Sequence, residues 1–282
     1  MIMKLSIFLG LLLLSLQTLS QTERYQVYAL RVAATTHPFP ISYWADNGPQ
    51  NDSVGVVFMI WLIRGNNGKN ILLDAGFLHG SDYEKEFEFK SYQRPDSTLL
   101  KLGLKAGDIT DIIISHPHWD HINGISLFPN AHIWIQKEDY NYFVSAAWLK
   151  RGAMGGFDKR DVRSLVDLNL AGRVTLVDGD NKEIIPGIKV FTGSKHTFDS
   201  QFVLVGTGAN RIVLASDNIW IYYNLEHLRP AAIGGTWDTT AYVNSMRRMK
   251  TLVSNPKYII PGHDAKVFSL FPQIAEGVVK IE

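Results

Sequence analysis

The sequence predicts an α/β protein in which helices cover a mostly antiparallel pair of sheets. The apolar, strand-like segments fall into two groups along the chain, and each group is followed by a segment of helical character. The stretch Gly65-Asn66-Asn67-Gly68 separates two apolar runs, and short turns of Gly and Asn typically join antiparallel strands. These observations favour paired hairpins over a doubly wound parallel sheet.

The first group of predicted strands begins with the apolar run 54–63 and its hairpin partner 70–74, which ends at Asp74. A short helix, capped by Asp96 and ended at Gly103, then leads to a continuous apolar strand at 111–115. His116 follows that strand directly. A strand at 132–135 and a helix near 137–147 complete this group.

The second group contains predicted strands at 174–177, 188–191, 202–205 and 211–215. Amphipathic segments predict helices near 161–168 and 239–254. No Pro- or Ser-rich linker and no repeat marks a boundary between the groups. We therefore expect one domain over residues 21–282.

The composition is that of an ordinary globular protein: 282 residues, 46% hydrophobic and 20% charged. Lys and Arg number 28 against 27 Asp and Glu, so the sequence has no basic surplus for nucleic acid, which we do not expect as a partner. The chain contains no cysteine, so any metal site must use His, Asp and Glu.

Residues 1–20 have the pattern of a signal peptide. Lys4 precedes an apolar run at 5–14, and the small residues Thr18 and Ser20 stand before a predicted cut ahead of Gln21. The run is shorter than the ~20 residues of a bilayer-spanning helix. We expect an exported protein, periplasmic or secreted, with no stable membrane insertion after leader removal; the alternative is an uncleaved anchor.

The densest chemical signal is a six-residue segment at the end of a predicted buried strand. Pro117 keeps this loop from becoming helical, so the first two histidines can face one side while the last two ligand-type residues face another. Two such clusters indicate two metal ions, and imidazole with carboxylate suits zinc, which activates water near neutral pH. The segment is His116-Pro117-His118-Trp119-Asp120-His121.

This segment resembles the signature of the metallo-β-lactamase-fold hydrolases, and four further stretches are similar to that family's other motifs in the same order. The resemblance implies a four-layer αββα sandwich and runs from about Val54 to Asp264. The further stretches are Leu72-Leu73-Asp74-Ala75-Gly76, Gly193-Ser194-Lys195-His196-Thr197-Phe198-Asp199-Ser200-Gln201, Leu214-Ala215-Ser216-Asp217 and Ile260-Pro261-Gly262-His263-Asp264.

The resemblance also implies the ligands of two Zn²⁺ ions. It places one ion on His116, His118 and His196, the other on Asp120, His121 and His263, and Asp217 between both. It implies that Asp74 holds the first ligand loop by a hydrogen bond. The four remaining histidines have no such support and are expected to be structural or at the surface: His37, His79, His132 and His227.

Within this family the sequence favours a compact hydrolase of a small lactone or ester. The stretch from Ala215 to Glu226, followed by Pro230, looks most like the N-acyl homoserine lactonase branch, whose members quench quorum sensing. A glyoxalase-II-like thioesterase or a β-lactam hydrolase remains an alternative, as does a metal-binding module without catalysis. The absence of cysteine excludes β-lactamases that need a cysteine ligand.

One position departs from the lactonase pattern. Many of those lactonases place a tyrosine three residues after the bridging aspartate, where this chain has Trp220. The phenol of Tyr222 or of Tyr223 is expected to polarise the substrate carbonyl in its place, with zinc alone as the alternative. Asp120 is expected to pass a proton to the leaving oxygen.

An apolar slot for an acyl chain is predicted from aromatic and apolar residues in loops. The segment from Ala146 to Asp158 contains three glycines and is a candidate lid. The residues proposed for the slot are Phe39, Trp44, Trp148, Met154 and Phe157.

Overall fold

The computed structural model describes residues 24–149 and 155–282. The predicted leader, residues 1–20, lies outside this part of the chain, as does Met154. Within the described ranges the strands are β1 (Tyr25–Thr35), β2 (Phe39–Pro40), β3 (Ser53–Val54), β4 (Val57–Gly65), β5 (Asn70–Leu73), β6 (Phe89–Tyr92), β7 (Asp111–Ile113), β8 (His132–Gln136), β9 (Val174–Val177), β10 (Lys182–Ile185), β11 (Ile188–Thr192), β12 (Gln201–Gly206), β13 (Arg211–Ser216), β14 (Ile259–Pro261), β15 (Gln273–Ala275) and β16 (Val278–Lys280).

The α-helices of the same ranges are short, apart from two of 12 and 14 residues. None of them combines the length and the apolarity that a membrane crossing needs. They are α1 (Ile41–Trp44), α2 (Pro95–Leu99), α3 (Trp119–Ile122), α4 (Lys137–Val144), α5 (Lys159–Leu170), α6 (Tyr222–His227), α7 (Thr239–Leu252) and α8 (Val267–Leu270).

Two sheets form the centre of the molecule. The larger has the order β15-β16-β1-β4-β5-β7-β8-β9, with β6 also paired to β1, and the smaller has the order β10-β11-β12-β13-β14. Hairpins make most of the pairs antiparallel, as predicted. The strands β5, β7, β8 and β9 run parallel, and so do β13 and β14, because long connections return the chain to the same end of the sheet.

Strand β4 shows how the sequence builds the layers. It is apolar on both faces, so alternate side chains enter two different cores. Met59, Trp61 and Ile63 pack in the core shared with the smaller sheet and α7, whereas Ile60 and Leu62 pack in the core beneath α2, α4 and α5. Helices therefore cover the outer face of each sheet, and the predicted αββα sandwich is confirmed.

The ends of two predicted helices differ in detail from expectation. Asp96 does not cap its helix; α2 begins at Pro95, whose ring presets the helical φ, and Asp96 pairs with Arg94 in the first turn. A 3-10 turn, Leu100–Leu102, continues α2 and ends at Gly103 as predicted, with Gly103 in the left-handed conformation. The helix predicted near 239–254 is α7, which starts at Thr239 as expected and ends at Leu252; the Asp238 side chain caps it by accepting from the Ala241 N–H.

Candidate metal centre

The chemically important side chains follow the carboxyl ends of neighbouring strands. Asp74 follows β5 and His116 follows β7, and these strands are parallel partners. Asp217 follows β13 and His263 follows β14, which are parallel partners in the other sheet. His196 follows β11 in that same sheet. Both sheets therefore deliver polar residues to one edge of the sandwich.

The structure brings all seven predicted ligands together in two groups. His116, His118, His196 and Asp217 form one group and Asp120, His121 and His263 form the other; within each, the candidate ligand atoms lie within 4.8 Å of one another. The short helix α3 supplies Asp120 and His121. No other such group of three occurs within residues 24–149 and 155–282.

Asp217 lies between the two groups. Its Oδ2 atom is 3.3 Å from His196 Nε2 and 3.8 Å from His116 Nε2. Its Oδ1 atom is 3.2 Å from His121 Nε2 and 3.0 Å from His263 Nε2. Each oxygen of this one carboxylate thus faces a different group, which is the arrangement of a bridging ligand.

Several ligand-type atoms are buried without a hydrogen bond to any described residue. They include His116 Nε2, His121 Nε2 and Asp217 Oδ1. An unpaired buried polar atom is costly, and atoms of this type converging on a common point are relieved by a bound cation. The residues present therefore fit two divalent metal ions of the zinc type.

The far ring nitrogens of four histidines are held by hydrogen bonds, so that Nε2 faces the centre of each group. His196 Nδ1 bonds the Gly235 carbonyl at 2.7 Å and His263 Nδ1 bonds the Val57 carbonyl at 3.0 Å. His116 Nδ1 is 2.8 Å from Ser115 Oγ. His121 Nδ1 bonds the Asp74 carboxylate at 2.8 Å.

Asp74 is fully buried and organises the first ligand loop, as predicted. Its Oδ1 accepts from the Ser115 N–H at 2.8 Å. Its Oδ2 accepts from Ser115 Oγ at 2.9 Å, Ser216 Oγ at 2.8 Å and His121 Nδ1 at 2.8 Å. One carboxylate therefore fixes residues next to two ligands and one ligand itself. The serines were not predicted, although each directly precedes a predicted ligand at a strand end.

Burial keeps the histidines of the first group neutral. It lowers the pKa of His116 well below its usual range, and repulsion from neighbouring histidines adds to the effect. Burial likewise lowers the pKa of His118 to about 3 and lowers that of His196. Neutral imidazole is the form that binds a metal ion.

In the second group and at Asp217, neighbouring charges shift the pKa values in favour of the charged forms. Burial opposes the charge of His121, but the carboxylates of Asp120, Asp217 and Asp74 outweigh it and raise its pKa well above the usual range. Burial also opposes ionisation of Asp217, but His263 and His121 outweigh it and hold its pKa well below that of an ordinary aspartate. Both shifts have the same cause, the attraction between these histidines and the neighbouring carboxylates.

A cleft of about 730 Å³ opens onto this centre. Its walls include Trp44, which was predicted, and Gly155 and Gly156 of the predicted lid segment. Several more aromatic side chains complete the walls. They are Tyr43, Phe58, Tyr83, Phe87, Trp119 and Trp220.

Three of the other residues predicted for the slot, Phe39, Trp148 and Phe157, are absent from the cleft lining and lie behind this wall, whereas Met154 is outside the described residues. Phe39 packs on Trp44, with ring centroids 6.0 Å apart, and does not line the cleft. Phe157 packs on His118 at 5.1 Å and on Trp148 at 6.4 Å. These rings therefore support the wall and a ligand from behind.

The structure does not bring Tyr222 or Tyr223 to the cleft. Both line a separate depression beside Asp264, and the Tyr222 hydroxyl is buried without a hydrogen bond to a described residue. Tyr223 stacks on His227 with centroids 4.1 Å apart. The expectation of a phenol beside the carbonyl is corrected accordingly: α6 turns these side chains into the packing behind the site.

Sequence reasoning missed the contact made by Trp220. Its Nε1–H donates to Asp217 Oδ2 at 2.8 Å. The sequence indicated this contact only through the spacing of three residues between Asp217 and Trp220. The turn after β13 brings Trp220 back over Asp217. The four histidines without predicted roles lie outside both ligand groups.

The fold and the site define a two-sheet protein with a paired metal-ligand centre at one edge. The family model described as the metallo-beta-lactamase superfamily matches residues 59–263. The chain belongs to the metallo-beta-lactamase superfamily, and the expected fold family and metal-dependent hydrolase class are confirmed.

Curated relatives include an N-acyl homoserine lactonase from Bacillus cereus, 27% identical over 62% of this chain and 66% of its own length. An N-acyl homoserine lactonase AiiA from Bacillus thuringiensis subsp. kurstaki is 26% identical over 72% of this chain and 74% of its own. The match thus spans about two thirds to three quarters of these relatives, in line with the resemblance stated above.

Solved structures share the fold. A B. thuringiensis AiiA mutant with N-decanoyl-L-homoserine at its active site has a TM-score of 0.68 and 21% identity, over 89% of this chain and 97% of that one. AidC, a dizinc quorum-quenching lactonase in complex with a product, has a TM-score of 0.63 and 19% identity, over 85% and 87%.

Proposed function

We propose that this protein uses two Zn²⁺ ions to hydrolyse a small, uncharged lactone, an N-acyl homoserine lactone, outside the cytoplasm. The single observation behind the proposal is that Asp217 lies between two ligand groups at the floor of an aromatic cleft. The relatives named lactonases support the same substrate class.

The charge of the cleft separates the candidate substrates. Among its described lining residues there is no Lys or Arg, whereas Asp46 and Glu86 lie on the walls. A glutathione thioester and a β-lactam both have carboxylates, which call for a cationic partner. An N-acyl homoserine lactone has no charge, and its acyl chain suits aromatic walls. The lining therefore favours the lactone over the two alternatives.

The residues of the centre would have different roles in hydrolysis. Two divalent cations supply Lewis acidity and make water nucleophilic near neutral pH. His116, His118, His196 and Asp217 would hold one ion, and Asp120, His121, His263 and Asp217 the other. Asp120, 9% exposed and on the cleft wall, is placed to pass a proton to the leaving oxygen.

Polarisation of the carbonyl then falls to the metal centre and not to a phenol. The Tyr43 hydroxyl donates to Glu86 and the Tyr83 hydroxyl to the Phe157 carbonyl, so both phenols on the cleft wall are engaged. The Trp220 N–H is engaged by Asp217. Two bound cations would supply the strongest electrophiles for a substrate oxygen in this cleft.

The leader pattern at residues 1–20 supports export, to the periplasm or the medium. Its apolar run is short, and the remaining sequence has a balanced charge, so we propose neither a membrane-inserted mature form nor a nucleic-acid partner. Mass spectrometry of exported protein should find the N-terminus near Gln21. Retention of Met1 would contradict export by cleavage.

The test compares substrates and one variant. Zinc-loaded protein should contain two ions per chain and should hydrolyse an N-acyl homoserine lactone faster than a glutathione thioester or a β-lactam. Asp217→Asn removes the charge shared by two dications, so we expect loss of metal and at least about a hundredfold lower turnover, since each ~1.4 kcal/mol of barrier is tenfold in rate.

Three results would overturn this proposal. One is an Asp217→Asn protein that keeps two ions and wild-type turnover. Another is a zinc-loaded wild type that prefers the thioester or the β-lactam, which would transfer the function to that alternative. The third is zinc-loaded protein inactive on all three substrates, which would favour the metal-binding module.

A further inference from the structure

A tryptophan stands directly over the bridging carboxylate. Trp220 Nε1–H donates to Asp217 Oδ2 at 2.8 Å, and the same oxygen faces His196 Nε2 at 3.3 Å. A hydrogen bond to an ionised acceptor is stronger than one between neutral groups. The indole therefore bonds the oxygen of Asp217 that faces the first ligand group.

The backbone on both sides of Trp220 is fixed. Its N–H donates to the Tyr242 hydroxyl at 3.1 Å, and that hydroxyl donates to the Asp217 carbonyl at 3.1 Å. Its carbonyl accepts from the His263 N–H at 2.8 Å. The turn from the bridging aspartate to the indole is thus tied to the backbone of His263, another candidate ligand.

The indole ring is also confined. It meets Trp44 edge to face at 5.4 Å and lies 5.7 Å from the His196 ring. A Cβ atom at Gly235 would lie 2.1 Å from the Trp220 ring, so only glycine leaves room for the indole there. The Gly235 carbonyl also accepts from His196 Nδ1 at 2.7 Å. Gly235 therefore orients a candidate ligand histidine through its carbonyl and leaves room for the indole because it has no side chain.

We propose that Trp220 is a positioning residue for the two-metal centre. Its N–H holds the Asp217 carboxylate in the orientation that turns one oxygen toward each ligand group. The proposal rests on the proposed two-metal centre and is independent of which substrate is hydrolysed.

The variant Trp220→Phe keeps an aromatic ring and removes the N–H. We expect it to bind Zn²⁺ roughly tenfold to a hundredfold more weakly than wild type, as is usual for residues that orient metal ligands. Competition with a chromophoric chelator measures this affinity without any substrate. In an Asp217→Asn background, Trp220→Phe should cause little further loss, because the partner of the N–H has changed.

Trp44→Phe is the matched control. Trp44 lines the same cleft and contacts Trp220, but its own Nε1 is buried without a hydrogen bond to a described residue. Replacement of the Trp44 indole by a phenyl ring should change the Zn²⁺ affinity by less than about threefold, since no candidate ligand loses a hydrogen bond.

A spectroscopic measurement keeps the test decisive if Trp220→Phe does not fold. The chain has seven tryptophans, so ¹⁵N-indole labelling gives seven N–H resonances. In metal-free protein, Asp217→Asn should move one of them upfield, because a neutral amide is a weaker acceptor than a carboxylate. A Trp220→Phe spectrum identifies that resonance where the variant folds.

The outcomes are distinguishable. Weaker zinc binding in Trp220→Phe but not in Trp44→Phe, or an indole resonance that responds to Asp217→Asn, supports the inference. Wild-type zinc affinity in Trp220→Phe, or no responding resonance, overturns it while the proposed function stands. A wild type that binds no Zn²⁺ overturns both.

Discussion

Asp74→Asn is the sharpest test of how the ligand loop is held. The Asp74 carboxylate accepts four hydrogen bonds, three of them on Oδ2, and is fully buried. An asparagine amide has only one oxygen. If that oxygen serves the Oδ2 position, the amide NH₂ faces the Ser115 N–H, and two donors oppose each other.

The expected magnitude follows from the bonds lost. Hydrogen bonds to a charged group contribute about 1.5–3 kcal/mol each, so the free energy of unfolding of metal-free protein should fall by at least about 2 kcal/mol. The loss of the charge behind His121 should also weaken Zn²⁺ binding roughly tenfold to a hundredfold. Urea unfolding measures the first effect and chelator competition the second.

Asp111→Asn provides the control. Asp111 is 3% exposed and bonds Lys69 at 2.7 Å and Trp134 Nε1 at 3.0 Å, but it stands at the start of β7 while the ligand loop follows the end of that strand. The Asp111→Asn protein should have a lower free energy of unfolding and keep the wild-type zinc affinity. An Asp74→Asn protein with wild-type zinc affinity would refute the role of this carboxylate.

Three further predictions follow from particular contacts. Gly156 has a φ of +98°, and a Cβ there would lie 2.8 Å from the His118 ring, so Gly156→Ala should weaken zinc binding at the first ligand group about tenfold by displacing that ring, as titration with zinc will show. Burial raises the pKa of the Asp161 carboxyl to about 7, so the native state holds an extra proton above the unfolded pKa, and stability falls as the pH rises from about 4 to about 7. Asp161→Asn should remove up to about 4 kcal/mol of that fall, measured by urea unfolding at both ends of the range; an unchanged slope would contradict the burial argument. Tyr222→Phe and Tyr223→Phe should keep metal content and turnover within about twofold of wild type, because neither phenol lines the cleft; a hundredfold loss of turnover would restore a catalytic phenol.

Local sequence predicted the candidate ligands well because their spacing and their position after strands are local properties. His116 and Asp217 each follow a continuous apolar strand, and such strands are legible in a single sequence. The acceptors that orient the ligands are not local. His263 bonds the Val57 carbonyl 206 residues away, and no pattern near either residue indicates that pairing.

Strand β1 is the main element that the sequence did not predict. It forms the middle of the larger sheet, between β4 and β16, yet its sequence contains three alanines and an arginine, which have low preference for strands. Its burial comes from neighbours on both sides, which only the fold supplies. The prediction that a tyrosine of α6 lies in the cleft was wrong for a similar reason. Proximity to Asp217 in sequence does not decide which side of a helix faces the cleft.

The two ligand groups have one further consequence for a chain without cysteine. Each group takes side chains from both sheets: His116 and Asp120 come from the segment after β7, while His196 and His263 follow strands of the smaller sheet. A cation in either group therefore joins the two halves of the sandwich, as a disulfide would in another protein. Because the unfolded chain has no such site, every tenfold excess of free metal over its dissociation constant adds about 1.4 kcal/mol to the stability of the joined state, so removing metal loosens the contact between the sheets as well as stopping the chemistry.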